Sequence, residues 1–355
     1  MIRFFAVVVL MSVAVQVNGQ ISAPKFSNEF LAIGVGARAL GMSQAQVAHV
    51  DDVTAGYWNP AGLLNIESKY EFSLMHAEYF AGIAKYDYAA FATPVDSMSH
   101  LGISVIRFAV DDIPDTRFLY DANGAINYDN IRFFSAADYA FLLTFARKFN
   151  FLQGLRLGAN FKVIHRQAGN FATAWGFGLD VGGQLEVKDW QFGLMLRDIT
   201  GTFNAWSHNS ELVVDVFTQT GNEIPQNSIE LTLPKAVLGV ARYFPVKEKF
   251  GVLAALDLNL TFDGKRNVLV KSDFASIDPG IGFELDYQRT VFLRFGAGNV
   301  QEVKDSDGST STSFQPNFGL GFTIKKVTID YALTDIGDQS ESLYSHVFSL
   351  KANLD

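Results

Sequence analysis

Residues 175–188 read WGFGLDVGGQLEVK. Trp175, Phe177, Leu179, Val181, Leu185 and Val187 share one set of alternate positions. Gly176, Gly178, Asp180, Gly182, Gln184, Glu186 and Lys188 share the other. Successive side chains of a strand point to opposite faces, so this stretch is a ribbon with one apolar and one polar face. The pattern recurs at 314–325, where Phe314, Phe318, Leu320, Phe322 and Ile324 oppose Gln315, Asn317, Gly319, Gly321, Thr323 and Lys325. It recurs again at 252–263. A soluble sandwich also alternates, but its strands usually run about 5–6 residues. Many runs here reach ten residues or more, and charges recur along their polar faces. Both features suit an outer-membrane barrel, apolar toward lipid and polar inside.

Read this way, the chain predicts about fourteen strands, near 68–78, 84–94, 99–109, 135–148, 154–166, 172–188, 189–198, 232–244, 250–263, 276–288, 290–298, 313–325, 327–334 and 343–354. Every second connection is short, while those at 110–134, 199–231, 263–275 and 299–312 are long. Bacterial barrels have even strand numbers, short periplasmic turns and long external loops. With both chain ends on the periplasmic side, the alternation falls in register. The fold class expected is therefore all-β, a transmembrane antiparallel barrel.

Composition agrees. The 355 residues carry 48% hydrophobic and 14% aromatic side chains, with 32 Phe, 30 Gly and no Cys. Phe and Gly together suit many strands with aromatic faces and tight turns. A formal charge of −9 argues against a nucleic-acid partner. The absence of Cys removes thiolate catalysis and Cys-based metal sites. Residues 1–19 have a positive Arg3, an apolar run from Phe4 to Val15 and small residues at Val17-Asn18-Gly19. That reads as a signal peptide, too short to anchor as a helix. The predicted location is the outer membrane of a Gram-negative-type bacterium, among outer-membrane lipids.

Residues 20–66 do not alternate. Asn59 can cap a short helix with Pro60 at its first position. A barrel of about fourteen strands encloses more space than its own side chains fill. The expectation is a partly helical hatch over 20–66 folded into the lumen of a barrel over 67–355. Lumen-facing Gly176, Gly178, Gly182, Gly319 and Gly321 would give it room. Its motif residues are Gly34, Gly36, Arg38, Gly41, Asp51, Asp52, Trp58, Asn59, Pro60, Ala61 and Gly62.

This segment, from Phe30-Leu31-Ala32-Ile33-Gly34 through Gly41-Met42 to Tyr57-Trp58-Asn59-Pro60-Ala61-Gly62-Leu63, resembles the N-terminal part of the PorV/PorQ family, within the FadL-like barrel superfamily. The tail from Asp330 to Leu350 is similar to that family's closing hairpin, although the chain ends on Asp355 rather than an aromatic. The resemblance implies a fourteen-stranded barrel with a hatch, accessory to type IX protein secretion. The Asn-Pro-Ala core is shared with FadL-like hatches, whose wider superfamily moves hydrophobic solutes.

Several chemistries are excluded. In GVGARALG, Ala39 stands where a phosphate loop of the G-x-G-x-x-G type needs its third Gly. The six His are scattered, and adjacent Ser345 and His346 point to opposite strand faces. DSDGST at 305–310 starts like a calcium loop but meets Pro316 where Glu is needed. No enzyme activity, cofactor or metal is expected. Inward charges such as Asp180, Glu186, Asp257, Glu284, Arg294 and Asp330 are expected to pair with each other or with the hatch. Asp115, Phe118, Tyr120, Asp121, Tyr128, Asp129 and Phe133 form a candidate partner-binding loop, since function concentrates on loops and exposed aromatics suit protein contacts. The leading expectation is docking of a secretion translocon or cargo protein. The alternative is a transporter of a hydrophobic small molecule, with a pocket near Met42, Val47 and Tyr57.

Overall fold

The computed structural model describes residues 20–22, 24, 26–121, 123–149, 152–304, 308–334 and 345–355. The expected signal peptide lies outside these. Fourteen antiparallel strands close into a barrel. They are β1 (Tyr70–Tyr79), β2 (Ala84–Asp96), β3 (Ser99–Asp115), β4 (Arg132–Lys148), β5 (Leu155–Ala168) and β6 (Ala172–Val187). β7 comprises Trp190–Arg197 and Thr202–His208, and β8 comprises Ser228–Thr232 and Lys235–Pro245. Then come β9 (Phe250–Thr261), β10 (Ser276–Tyr287), β11 (Val291–Lys304), β12 (Thr310–Ile324), β13 (Val327–Thr334) and β14 (Ser345–Leu354). β14 pairs with β1 from His346↔Glu78 to Leu354↔Tyr70, which leaves no open edge.

The alternation sets the faces. Phe177, Leu179, Phe283, Phe295, Phe318 and Phe322 all stand exposed on the outer wall, where lipid would cover them. Asp180, Gln184, Asp257, Glu284, Arg294 and Asp330 are buried in the lumen.

Three expectations need correction. The stretch 199–231 is not one loop: β7 resumes at Thr202, and β8 begins at Ser228, the two segments pairing as Ala205↔Ile229. Asp198 and Gly201 take positive φ and shift the alternation, which hides the continuation in the sequence. β3 likewise runs to Asp115 and β4 starts at Arg132, so Asp115 and Phe133 belong to strands rather than to a loop tip. A bulge between Val110 and Ile113, with Asp112 at positive φ, breaks the period there. Finally, residues 20–22 pair in parallel with Ser228–Glu230, at the long-loop mouth. The N-terminal segment therefore starts at the mouth opposite the C-terminal strand end. Ser27 and Asn28 anchor it there, both bonding the Thr232 hydroxyl at 2.6 and 2.7 Å.

From that mouth the chain descends through the lumen and enters β1 at the short-turn end. Two short helices, α1 (Ala37–Leu40) and α2 (Ala55–Trp58), and a 3₁₀ turn over Pro60–Asn65 carry it. Extended Asn59 caps that turn, its side chain accepting the Ala61 N–H, with Pro60 at the first position. Val35, Leu40, Tyr57, Trp58 and Leu63 form one buried cluster with the wall residues Met75, Tyr86, Ile106 and Ile164. Where the fit is closest the wall has glycine: a Cβ added at Gly158 would lie 2.6 Å from the Pro60 carbonyl carbon. Gly182 and Gly319 also face the hatch, whereas Gly176, Gly178 and Gly321 are filled by wall side chains.

Candidate functional site: a cavity between hatch and wall

Ionic ties fix the hatch laterally. Arg38 donates to both oxygens of Glu284 on β10 at 3.0 Å and reaches Asp51 at 2.6 Å. Glu284 in turn accepts from Arg294 at 2.6 Å, and Arg294 reaches Asp330 at 2.7 Å. Asp52 accepts from Lys351 on β14 at 3.1 Å and from the Thr54 N–H at 2.9 Å. Asp257 accepts the Gln46 and Val47 N–H groups at 2.8 and 2.9 Å. Asn59 donates to the Val47 and Gly183 carbonyls at 2.9 and 3.0 Å, and Trp58 donates to the Val35 carbonyl at 2.9 Å. Gly34 and Gly36 adopt positive φ, which lets the chain turn into α1. Gly41 lies against Gly319, and a Cβ at Gly62 would meet the Val50 carbonyl oxygen at 2.5 Å. Ala61 is wholly buried beside it. Of the inward charges, Glu186 pairs with Arg156 at the short-turn rim, at 3.0 Å.

Burial pushes the Asp52 carboxyl up, but the Lys351 ammonium and the Arg38 guanidinium outweigh it and hold it at about 2. A carboxylate held below its ordinary value stabilises the fold fully above about pH 4, and that contribution is lost as pH falls through about 2. Thermal unfolding is therefore expected to separate the wild type from Asp52→Asn at about pH 6, with the two midpoints converging near pH 2.

Above these ties the hatch does not meet the wall everywhere. A cavity of about 600 Å³ remains, opening beside exposed Phe26 and Asn267 at the long-loop mouth. Leu31, Ile33, Val47, Tyr57 and Trp58 line it from the hatch. Leu142, Val237 and Leu260 line it from the barrel, with Lys162, Arg197 and a series of amides. Lys162 is clamped between Asp180 at 3.0 Å and Asp198 at 2.6 Å. The Arg197 guanidinium lies 4.4 Å from the Tyr57 ring centre. Of the expected lining residues, Val47 and Tyr57 are present; Met42 instead packs under Gly282, whose added Cβ would sit 2.7 Å from Met42 Cβ. Lys162, Arg197 and the amides were not singled out from the sequence. Their inward positions on alternating strands were the available signal.

The external loop is built differently. Asp115 is held by Arg117 at 2.7 Å, and Phe118 lies between the Arg117 and Arg132 guanidinia, 5.4 and 4.7 Å from its ring centre. Asp121 accepts from the Asn123 and Ala125 N–H groups at 2.8 and 2.9 Å, shaping a turn, and the Asp129 N–H is taken by Asn127 at 3.0 Å. Tyr120, Tyr128 and Phe133 project outward, 64%, 71% and 65% exposed.

No family model matches the chain, and no curated protein matches its sequence. Solved structures do. The Ralstonia pickettii toluene transporter TbuX superposes with a TM-score of 0.54 at 13% identity, covering 91% of this chain and 99% of that one. The monoaromatic hydrocarbon channel CymD gives 0.56 at 12% identity, covering 91% and 98%. A Pseudomonas aeruginosa FadL homologue gives 0.50 at 10% identity, covering 90% and 98%. The fold is the one these solved barrels share. At these identities the likeness concerns architecture, and with the closed barrel it points to an outer membrane. The barrel thus carries a hatch that blocks the lumen below a cavity left open above it.

Proposed function

We propose that this FadL-like barrel is a non-enzymatic outer-membrane channel for hydrophobic or amphipathic small molecules. The observation that carries the reading is the cavity itself, open at the long-loop mouth, walled by Leu31, Ile33 and Trp58, and closed below by the hatch. A concave site lined by apolar and aromatic side chains with a few polar groups is what a small ligand needs. The fold's likeness to proteins described as toluene and monoaromatic hydrocarbon carriers supports it. A solute would enter at the mouth, rest in the cavity and pass when the hatch ties rearrange. Uptake of labelled toluene by cells expressing the chain tests this. Expression is expected to raise uptake severalfold, and Ala32→Trp, which sets an indole into the cavity, to return it to the level of cells without the chain. Uptake of both labelled toluene and a labelled alkanediol that is unchanged by expression would sink the reading.

The second reading is that of a secretion accessory, docking a translocon or cargo protein through the external loop. Its support is the resemblance of the hatch motif to PorV/PorQ proteins and the exposure of Tyr120, Tyr128 and Phe133. A mild-detergent pull-down separates the two. One near-stoichiometric envelope protein, lost on Tyr120→Ala with Tyr128→Ala, would favour docking; a solitary barrel with active uptake would favour the channel.

A further inference from the structure

The cavity has two unlike walls. One is apolar, formed by Leu31, Ile33 and Trp58 of the hatch with Leu142 and Val237 of the barrel. The other is a chain of carboxamides on β11 and β12. Gln301 donates to Asn299 at 2.7 Å, Asn299 to Gln315 at 3.3 Å, and Gln315 to Asn317 at 3.2 Å. Gln315 also donates to Thr334 at 3.2 Å, and Asn317 ends the chain on the hatch, donating to Ser43 Oγ at 2.6 Å. A carboxamide has two N–H donors and an oxygen with two lone pairs, so Gln301, which gives one N–H to Asn299, and Asn299, which gives one to Gln315, each keep an N–H and a lone pair for a ligand, while Gln315 and Asn317 hold the row in place.

Charge selects further. Four cationic and four carboxylate side chains line the cavity, so their formal charges cancel. Lys162 is engaged by Asp180 and Asp198. Lys235 and Arg266 both hold Glu29, at 3.0 and 3.1 Å. Arg197 donates to the Leu31 and Tyr57 carbonyls at 3.4 and 3.2 Å. An entering anion meets cations that are already engaged, together with the Asp278 carboxylate. Two acceptors of the lining, Thr261 Oγ1 and Asp278 Oδ1, have no partner among the described residues. Buried polar groups left unpaired are costly, and a hydroxyl is the group that relieves both an acceptor and an amide.

We propose that the cavity takes an uncharged amphiphile, an apolar chain or ring bearing two or more hydroxyl groups, in preference to a bare hydrocarbon or a carboxylate. The inference rests on the channel function and names its substrate class. The apolar part lies on Leu31, Ile33 and Trp58, and the hydroxyls bond the amide wall. A hydrocarbon would cover those amides without pairing them, and a carboxylate would lose its hydration without gaining a free cation.

The test is equilibrium binding of vicinal octanediol, octane and octanoate to the full chain in lipid nanodiscs, with nanodiscs carrying Ala32→Trp as the blank for lipid partitioning. The diol is expected to bind about tenfold more tightly than either analogue, the scale of one well-placed hydrogen bond. Gln301→Leu and, independently, Thr261→Val, which removes the unpartnered hydroxyl, are expected to erase that ratio; because the readout is a ratio, partial loss of folded protein does not imitate it. Octane or octanoate binding as tightly as the diol overturns the substrate class and leaves the channel standing. A diol preference that survives both substitutions removes Gln301 and Thr261 from the recognition and overturns the assignment. No binding of any of the three above the blank overturns the substrate class and the channel function together.

Discussion

Replacing Glu284 by alanine is expected to open the barrel to ions. The Glu284 carboxylate is shared between Arg38 of the hatch and Arg294 of the wall, at 3.0 and 2.6 Å. Without it the two guanidinia keep Asp51 and Asp330 as their ion-pair partners among the described residues, and the hatch loses its ionic tie to β10. Breaking a buried pair by removing one partner costs about 3–5 kcal/mol, because the remaining charge stays desolvated. The strand ladder does not depend on this carboxylate, so the loss falls on hatch docking rather than on barrel closure. Planar-bilayer recordings are expected to show a quiet wild type and long open events for the variant, with a lowered midpoint for the first thermal transition. Glu284→Asp keeps the charge with a shorter reach and is expected to fall between. A variant as quiet and as heat-stable as the wild type would mean that these ions do not hold the hatch.

How much of this could be read from the chain depends on where a side chain points. Outward positions such as Phe177 and Phe318 meet one uniform solvent, lipid, so their type repeats and the strand is visible. Beyond the membrane the constraint ends. Residues 110–115 and 202–208 remain strand, yet they hold no regular apolar face, and the positive-φ positions Asp112, Asp198 and Gly201 shift the count. The hatch motif was legible because Asn59-Pro60 and its glycines answer local geometric demands. The cavity was not. Gln315 and Leu31 lie hundreds of residues apart in the chain, and each looks ordinary in its own neighbourhood. Only the folded path of the N-terminal segment, anchored by Ser27 and Asn28 at the long-loop mouth, brings them to one space. The expected partner loop fared similarly: its acidic residues look like a docking surface in sequence, but Asp115 and Asp121 are spent on shaping the loop itself.

Two glycines on paired strands give the sharpest test of the hatch fit, because they differ mainly in which way they face. Gly158 on β5 looks inward: an added Cβ would lie 2.6 Å from the Pro60 carbonyl carbon and 2.7 Å from the Ala61 nitrogen. Both neighbours are backbone, fixed by the Asn59 cap, and real Cβ contacts essentially never come that close. Gly183 on β6 faces away from the lumen, and its added Cβ would press only on the end of the Leu157 side chain, at 3.1 Å, with the Arg156 carbonyl oxygen at an ordinary contact distance of 3.7 Å. A side-chain tip can rotate aside; a capped backbone held by Asn59 against the Gly183 and Val47 carbonyls cannot. Gly158→Ala is therefore expected to cost about 1–3 kcal/mol, the range for overpacking a well-filled core, and Gly158→Val more. Gly183→Ala is expected to stay within about 0.5 kcal/mol of the wild type. Thermal midpoints in a mild detergent measure the stability difference, and bilayer conductance shows where the strain is released. If the hatch yields, Gly158→Val conducts while its strands still resist unfolding; if the wall yields, both transitions fall together. Equal midpoints for Gly158→Ala and Gly183→Ala would mean that Pro60 does not sit against the wall, and the close docking of the hatch would be wrong.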